Sequence, residues 1–124
     1  MLVLDTGGLI AFERGDRHVA ALVEAARRRR DQVVTSSGCV AQAWRDGARQ
    51  ALLARLLAGV NEVGLDRRSS RKVGELCAAT GTSDVIDSHL TLLVSDGDIV
   101  VTSDTEDLRT LLGAAHIAAR IVSC

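Results

Sequence analysis

The sequence has no proline and no tyrosine, and its only aromatic residues are Phe12 and Trp44. At 2% aromatics the core has to be aliphatic, and a platform of rings on which bases stack has no residues to build it. Without proline, a low-complexity tract or an internal repeat, nothing marks a linker between domains. Excess charge of one sign is also missing. The formal net charge is −1, so no global positive field gathers nucleic acid, and such binding would have to come from local clusters. Lys72 is the only lysine among otherwise arginine cations. Cys39, Cys77 and Cys124 are odd in number and widely spaced, which excludes a disulfide framework and predicts reduced, mostly buried thiols. His18, His89 and His116 have no zinc-ligand spacing. Neither a Gly-x-Gly-x-x-Gly nor a Walker A pattern occurs, and no nucleophile elbow surrounds a serine. The N-terminus lacks a basic region, Asp5 interrupts its apolar run, and no window approaches the ~18 uncharged apolar residues that span a bilayer. A soluble cytoplasmic protein with no membrane association is the expectation.

Hydrophobic residues make up 47% of the chain and charged residues 25%, ordinary globular usage for one domain spanning residues 1–124. Met1–Leu4 is a short aliphatic run ended by Asp5-Thr6-Gly7-Gly8, the signature of a buried strand. Helical spacing follows at 9–12 and again at 16–30, where Val19, Leu22, Val23 and Ala26 share a face and Asp16 is the predicted N-cap. A second strand is predicted at 32–35. The next helix carries Val40, Ala41, Trp44 and Ala48, with Trp44 in the core or a dimer interface, and Leu52, Leu53, Leu56 and Leu57 continue the pattern to Gly59. A weak strand at 60–65 precedes a helix over 69–80, capped by Asp66 and ended by Gly81. A helix over 84–94 packs through Val85, Ile86, His89, Leu90 and Leu93. The remaining elements are a strand at 98–103, a helix over 106–112 and a strand at 118–122. Strands alternate with helices, and uninterrupted aliphatic strands suit a sheet covered on both faces, so a three-layer α/β/α domain with a mainly parallel central sheet is predicted.

Parallel strands end at one edge, where such folds place ligands. Asp5 closes MLVLD and Asp104 closes IVVTSD; if these strands are neighbours, their carboxylates converge. Asp84 and Asp87, at i and i+3 on the preceding helix, can face the same edge. Clustered carboxylates stay ionised only beside a cation, and all-oxygen ligation points to Mg²⁺ or Mn²⁺, the donor set of metal-assisted phosphodiester hydrolysis. Helix capping accounts equally for Asp84-Val-Ile-Asp87 and Asp104-Thr-Glu-Asp107 taken singly. Arg14 and Arg45 are candidates for holding phosphate, and Arg27–Arg30 is either a solvated helix end or a contact for RNA backbone.

The segments LDTGGLIAFERGD, SDVIDSHL and VVTSDTEDLRTLL, in that order and spacing, resemble the PIN domain of VapC-type toxins over nearly the whole chain. The resemblance implies a Mg²⁺- or Mn²⁺-dependent endoribonuclease, neutralised by a VapB-type antitoxin and commonly homodimeric. By motif it assigns Asp5, Asp87 and Asp104 as catalytic metal ligands, with Asp84 and Asp107 as auxiliaries. One position departs from the pattern. Where the family has glutamate in a motif resembling V-x-A-E-x-x-R, this sequence has Gln42, a weaker ligand candidate that removes one negative charge. Asp46, about 6 Å further along a continuous helix, is the compensating acid. Two alternatives follow: a PIN domain impaired in catalysis that binds antitoxin or RNA, and a receiver-type signalling domain. The receiver reading calls for an acidic pair after the first strand and a lysine at a late strand end, neither of which is present.

Overall fold

Leu2–Leu4 is uniformly apolar and has no face to offer solvent, and in the computed structural model, which describes residues 1–124, it forms the buried middle strand β1. The elements that follow are α1 (Thr6–Glu13), α2 (Arg17–Arg28), β2 (Val33–Ser36), α3 (Ser37–Ala43), a 3-10 turn (Gly47–Arg49), α4 (Ala51–Ala58) and β3 (Asn61–Val63). The second half comprises α5 (Arg67–Thr80), α6 (Val85–Leu92), β4 (Ile99–Thr102), α7 (Thr105–Ala114) and β5 (Arg120–Ser123). The strands pair in the order β3-β2-β1-β4-β5, all parallel, with Leu2 beside Val33 on one side and Val3 beside Val100 on the other. Helices α1, α2 and α4 pack together on one side of the sheet and α5, α6 and α7 on the other, while α3 touches both α1 and α6. The three-layer prediction holds.

The core is aliphatic, as the shortage of rings requires: Val3, Leu4, Leu9, Leu53, Leu90, Val100 and Val101 are fully buried. Each such side chain contributes about 1.5–3 kcal/mol. The edge strand β3 exposes Asn61 and Glu62 and is three residues long, a polar edge that discourages pairing with other chains. Caps fall where the sequence puts them. The Asp16 carboxylate accepts from the Val19 amide, Asp66 and Ser69 form a reciprocal capping box, and Gly81 ends α5 in the left-handed conformation. His89 is buried with no partner for Nε2, and burial pushes its imidazole below the ordinary histidine value, so it is a neutral core residue.

Three expectations fail locally. The helix predicted to run through Trp44 and Ala48 stops at Ala43, because the buried Gln50 side chain accepts from the amides of Arg45 and Asp46 and donates to the Ala43 carbonyl. Those bonds replace helical ones and turn the chain. Trp44 is therefore 38% exposed rather than in the core, lying against Gly47, and Ala48 sits in the 3-10 turn. Val85, expected on the packed face of α6, is exposed in its first turn. All three cysteines are free, but only Cys39 is fully buried and Cys124 is exposed.

Candidate functional site

Strand order decides where the acids meet. The chain leaves β1 toward β2 on one side while β4 lies on the other, so the β1–β4 boundary is the switch point of the sheet, where a crevice opens outside the strand ends. Leu4 pairs with Val101, and Asp5 and Asp104 leave this boundary from adjacent strands. Glycine makes the approach close. A Cβ on Gly7 would lie 2.4 Å from Ser103 Oγ and 2.8 Å from its backbone nitrogen, and one on Gly8 would lie 3.2 Å from the Val101 carbonyl. Thus Thr6-Gly7-Gly8 lets the first turn of α1 rest directly on the end of β4.

Each acid is held by its own helix. Asp5 Oδ1 accepts from the Gly8 amide at 2.8 Å, Asp84 Oδ1 from the Asp87 amide at 2.9 Å, and Asp104 Oδ1 from the Asp107 amide at 3.1 Å. The capping alternative is thus correct as local structure, but it uses one oxygen of Asp84 and of Asp104 and leaves the other for a further partner. Thr102, which no sequence motif singles out, lies between the two strand ends: its hydroxyl accepts from the Asp104 amide at 2.9 Å and is near enough to Asp5 to favour its charged form. Its only signal in the sequence was its place in Val101-Thr102-Ser103-Asp104.

The carboxyls feel one another. Burial pushes Asp5 above the usual carboxylate value, hydrogen bonds from Thr102, Gly8 and Gly7 pull it back, and the charge of Asp104 raises it further. Asp87 is half-buried and is raised to about 6, first by burial, then by the charges of Asp84 and Asp5, a hydrogen bond with Asp84 and the charge of Asp104. Asp107 is raised chiefly by Asp104, with Asp84 contributing. Asp5, Asp84, Asp87, Asp104 and Asp107 therefore share one edge. No cation is among the leading influences on these groups, and the ion pairs of the chain lie elsewhere, at Met1–Asp98, Arg28–Glu24, Arg29–Asp31 and Arg49–Asp46.

As they stand, no three His, Cys, Asp or Glu side chains close round one point tightly enough to ligate an ion. Uncompensated carboxylates repel, and here Asp5, Asp84 and Asp104 are turned toward the amides of their own helices. In donor type and unmet charge the group suits a hard dication; its side chains are not in a coordinating arrangement.

Gln42 stands at the same edge, its Oε1 accepting from the hydroxyl of Thr6 beside Asp5. Asp46 does not compensate for it, because with α3 broken its carboxylate caps the 3-10 turn at the Ala48 amide and pairs with Arg49 at 3.7 Å. Arg27–Arg30 ends α2 at the opposite edge of the sheet, just before β2 begins, with Arg28 and Arg29 in exposed ion pairs, as a solvated helix end has them. Arg45 turns Nη1 back onto the carbonyls of Ala41 and Trp44. A cleft of about 100 Å³ opens between Asp84, Asp87 and Asp107, with Thr80, Thr82 and Thr110 around it. On the other side of the edge lies a cavity of about 540 Å³ whose wall includes Gly7 and Ser103, the neighbours of the two strand-end acids.

The fold is PIN-like. Over 98% of this chain and 98% of the other, it superposes with a TM-score of 0.69 on VapBC2 from Rickettsia felis, whose crystal structure was determined bound to a DNA fragment from its promoter. Identity is 14%, so the likeness establishes the PIN-like architecture alone. No family model matches the sequence, and no curated protein does. No helix of the PIN-like domain is long and apolar enough to cross a membrane.

Proposed function

We propose that the domain is a metal-dependent endoribonuclease of the VapC type, cytoplasmic and neutralised by a VapB-like antitoxin. The observation that carries this reading is the gathering of Asp5, Asp84, Asp87, Asp104 and Asp107 at the switch-point edge, where burial and the charges of Asp84 and Asp104 raise their neighbours and no cation relieves them. Like charges drawn together in number beyond what capping three helices requires mark functional sites. Asp5, Asp87 and Asp104 would hold Mg²⁺ or Mn²⁺, with Asp84, Asp107 and Gln42 as outer or water-mediated ligands. Bound there, the ion would polarise a phosphodiester and lower the pKa of water. The reaction is hydrolysis: the water oxygen bonds to phosphorus as the bridging P–O bond breaks, and its proton ends on the leaving hydroxyl. The Gly8 amide would hold Asp5 in place for that task, with the Thr102 hydroxyl nearby favouring its charged form. The VapBC2 structure supports an antitoxin partner by likeness of fold. A homodimer is part of the same reading and is checked by the mass of the purified protein in solution.

Purified protein with Mn²⁺ is expected to cut single-stranded RNA, and Asp5→Ala to abolish cutting. Equal cleavage by both proteins would refute the assignment. A second reading is a PIN-like module that binds antitoxin or RNA without cutting it, and one observation favours it: the Gln42 amide, already bonded to Thr6, stands where the resemblance calls for a carboxylate. Under that reading Gln42→Glu would gain both Mn²⁺ affinity and cleavage over an inactive parent, whereas an active parent excludes it.

A further inference from the structure

Arg14 stands between two cavities. The cavity of about 540 Å³ and a groove of about 480 Å³ share Ile10 and Arg14 in their walls, so the two adjoin at Arg14. The first reaches the acidic edge through Gly7 and Ser103; the second runs past Gln42 toward Arg45 and Arg49. The backbone beneath Arg14 is firmly set. The Gly15 amide donates to Phe12 and the Asp16 amide to Ala11, with Gly15 in the left-handed region at φ 81°, a bonded helix end that fixes where Arg14 leaves α1.

The acids near Arg14 are engaged elsewhere. Asp16 caps α2 through the Val19 amide, Glu13 accepts from the Gln50 amide, and Asp46 pairs with Arg49. Arg14 itself is exposed and takes part in none of the ion pairs of the chain. A free guanidinium in the wall of two cavities, one of them bordered by Gly7 and Ser103 next to the strand-end acids Asp5 and Asp104, has the chemistry to grip a phosphate and space on both sides for what the phosphate joins.

Resting on the endoribonuclease reading, we infer that Arg14 binds the phosphate next to the cleaved linkage. The nucleotide between the two phosphates occupies the 540 Å³ cavity, and the following one lies in the groove beside Arg45. The cavity falls within the ~300–1,000 Å³ range of pockets that enclose small organic molecules. It is open to solvent, and its walls include Ile10, Ala11, Asp16 and Ser103 but no aromatic ring, so it offers room for a nucleotide and little base discrimination. A nucleotide placed there has left any duplex stack, which makes the substrate unpaired at that position. Arg14 is thus a substrate-positioning residue that acts on the phosphate backbone rather than on sequence.

Steady-state cleavage of an unstructured RNA decamer with Mn²⁺ tests this. Arg14→Ala should raise KM about tenfold while kcat stays within about twofold, since a phosphate contact is made equally in ground and transition states. The slope of log affinity against log salt should become shallower by about 0.7, the share of one phosphate on a single strand. Arg14→Lys should recover most of the loss, and Arg28→Ala, on the ion-paired far end of α2, should match the parent. Thermal melts of each variant check that folding is intact. If the parent cuts and Arg14→Ala keeps the parent's KM and salt slope, the inference is wrong while the endoribonuclease reading stands. If the parent neither cuts nor binds the decamer, both fall.

Discussion

Replacing Asp87 by asparagine should make the metal-free domain more stable. The Asp87 carboxyl is raised from 3.8 to about 6 by burial and by the charges of Asp84 and Asp5, so at pH 8 the folded protein carries an anion where its surroundings favour the acid. Taken at face value that rise corresponds to about 3 kcal/mol. Asp87 is only half-buried and solvent screens it, so between a third and a half should survive, about 1–1.5 kcal/mol. For a domain of this length that is a melting-temperature rise of about 4–6 °C. The pH dependence has a definite sign. Between 3.8 and about 6 the folded state holds a proton that the unfolded chain has released. The parent therefore keeps this contribution to stability below the unfolded value and loses it as pH rises through about 6. Asparagine does not titrate, and its amide can still donate to Asp84, so the gap between variant and parent should be small near pH 4, open through pH 4–6 and stay constant above. Urea denaturation in chelator at pH 4.5 and pH 8, followed by circular dichroism, measures it. Adding Mn²⁺ should reverse the order, because an ion that binds the folded parent stabilises it by mass action while the variant has lost a ligand. A variant equal to or weaker than the parent at pH 8 without metal, or a gap independent of pH, would refute the account of the acidic edge.

Gln42→Glu should lower the metal-free melting temperature by adding a sixth carboxylate to the edge and raise Mn²⁺ affinity in calorimetric titration; no change in either would place residue 42 outside the site. Gly7→Ala forces a methyl to within 2.8 Å of the Ser103 backbone nitrogen, so α1 must lift from β4 at a cost of about 1–3 kcal/mol, and a melt unchanged from the parent would contradict the close approach. At the other end of the sheet the buried Asp98 accepts from the Met1 ammonium at 2.7 Å and the Ser95 amide at 2.8 Å. Asp98→Ala should cost about 2 kcal/mol in urea denaturation, below the ~3–5 kcal/mol of a fully buried pair because the ammonium is partly exposed.

Much of the architecture was legible because its signals are local. Leu2–Leu4, the Val33-Val34 pair and Ile99–Val101 have no polar face, which demands a sheet covered on both sides, and Asp16, Asp66 and Gly81 mark helix ends through bonds that span three or four residues. The convergence of Asp5 with Asp104 was legible too, given parallel strands, since every C-terminal end then lies on one edge. It remained conditional on β1 and β4 being neighbours, which no stretch of sequence states.

The failures have the opposite character. Gln50 breaks α3 by reaching back to Ala43, Arg45 and Asp46 while its amide also holds Glu13, 37 residues away. A periodic reading of 37–48 cannot see that anchor. Nor can it see Thr102 between two strand ends, Gln42 bonded to Thr6 across 36 residues, or Arg14 between two cavities. By itself the sequence determined which segments are strands and helices, what caps them and which acids lie at strand ends, because burial periodicity and capping act within a few residues. Strand order, the place where α3 stops, the opposite edge taken by Arg27–Arg30 and the electrostatic coupling of the five aspartates were decided only by the tertiary structure. Those properties depend on distances between residues far apart in the chain, which exist only once it has folded.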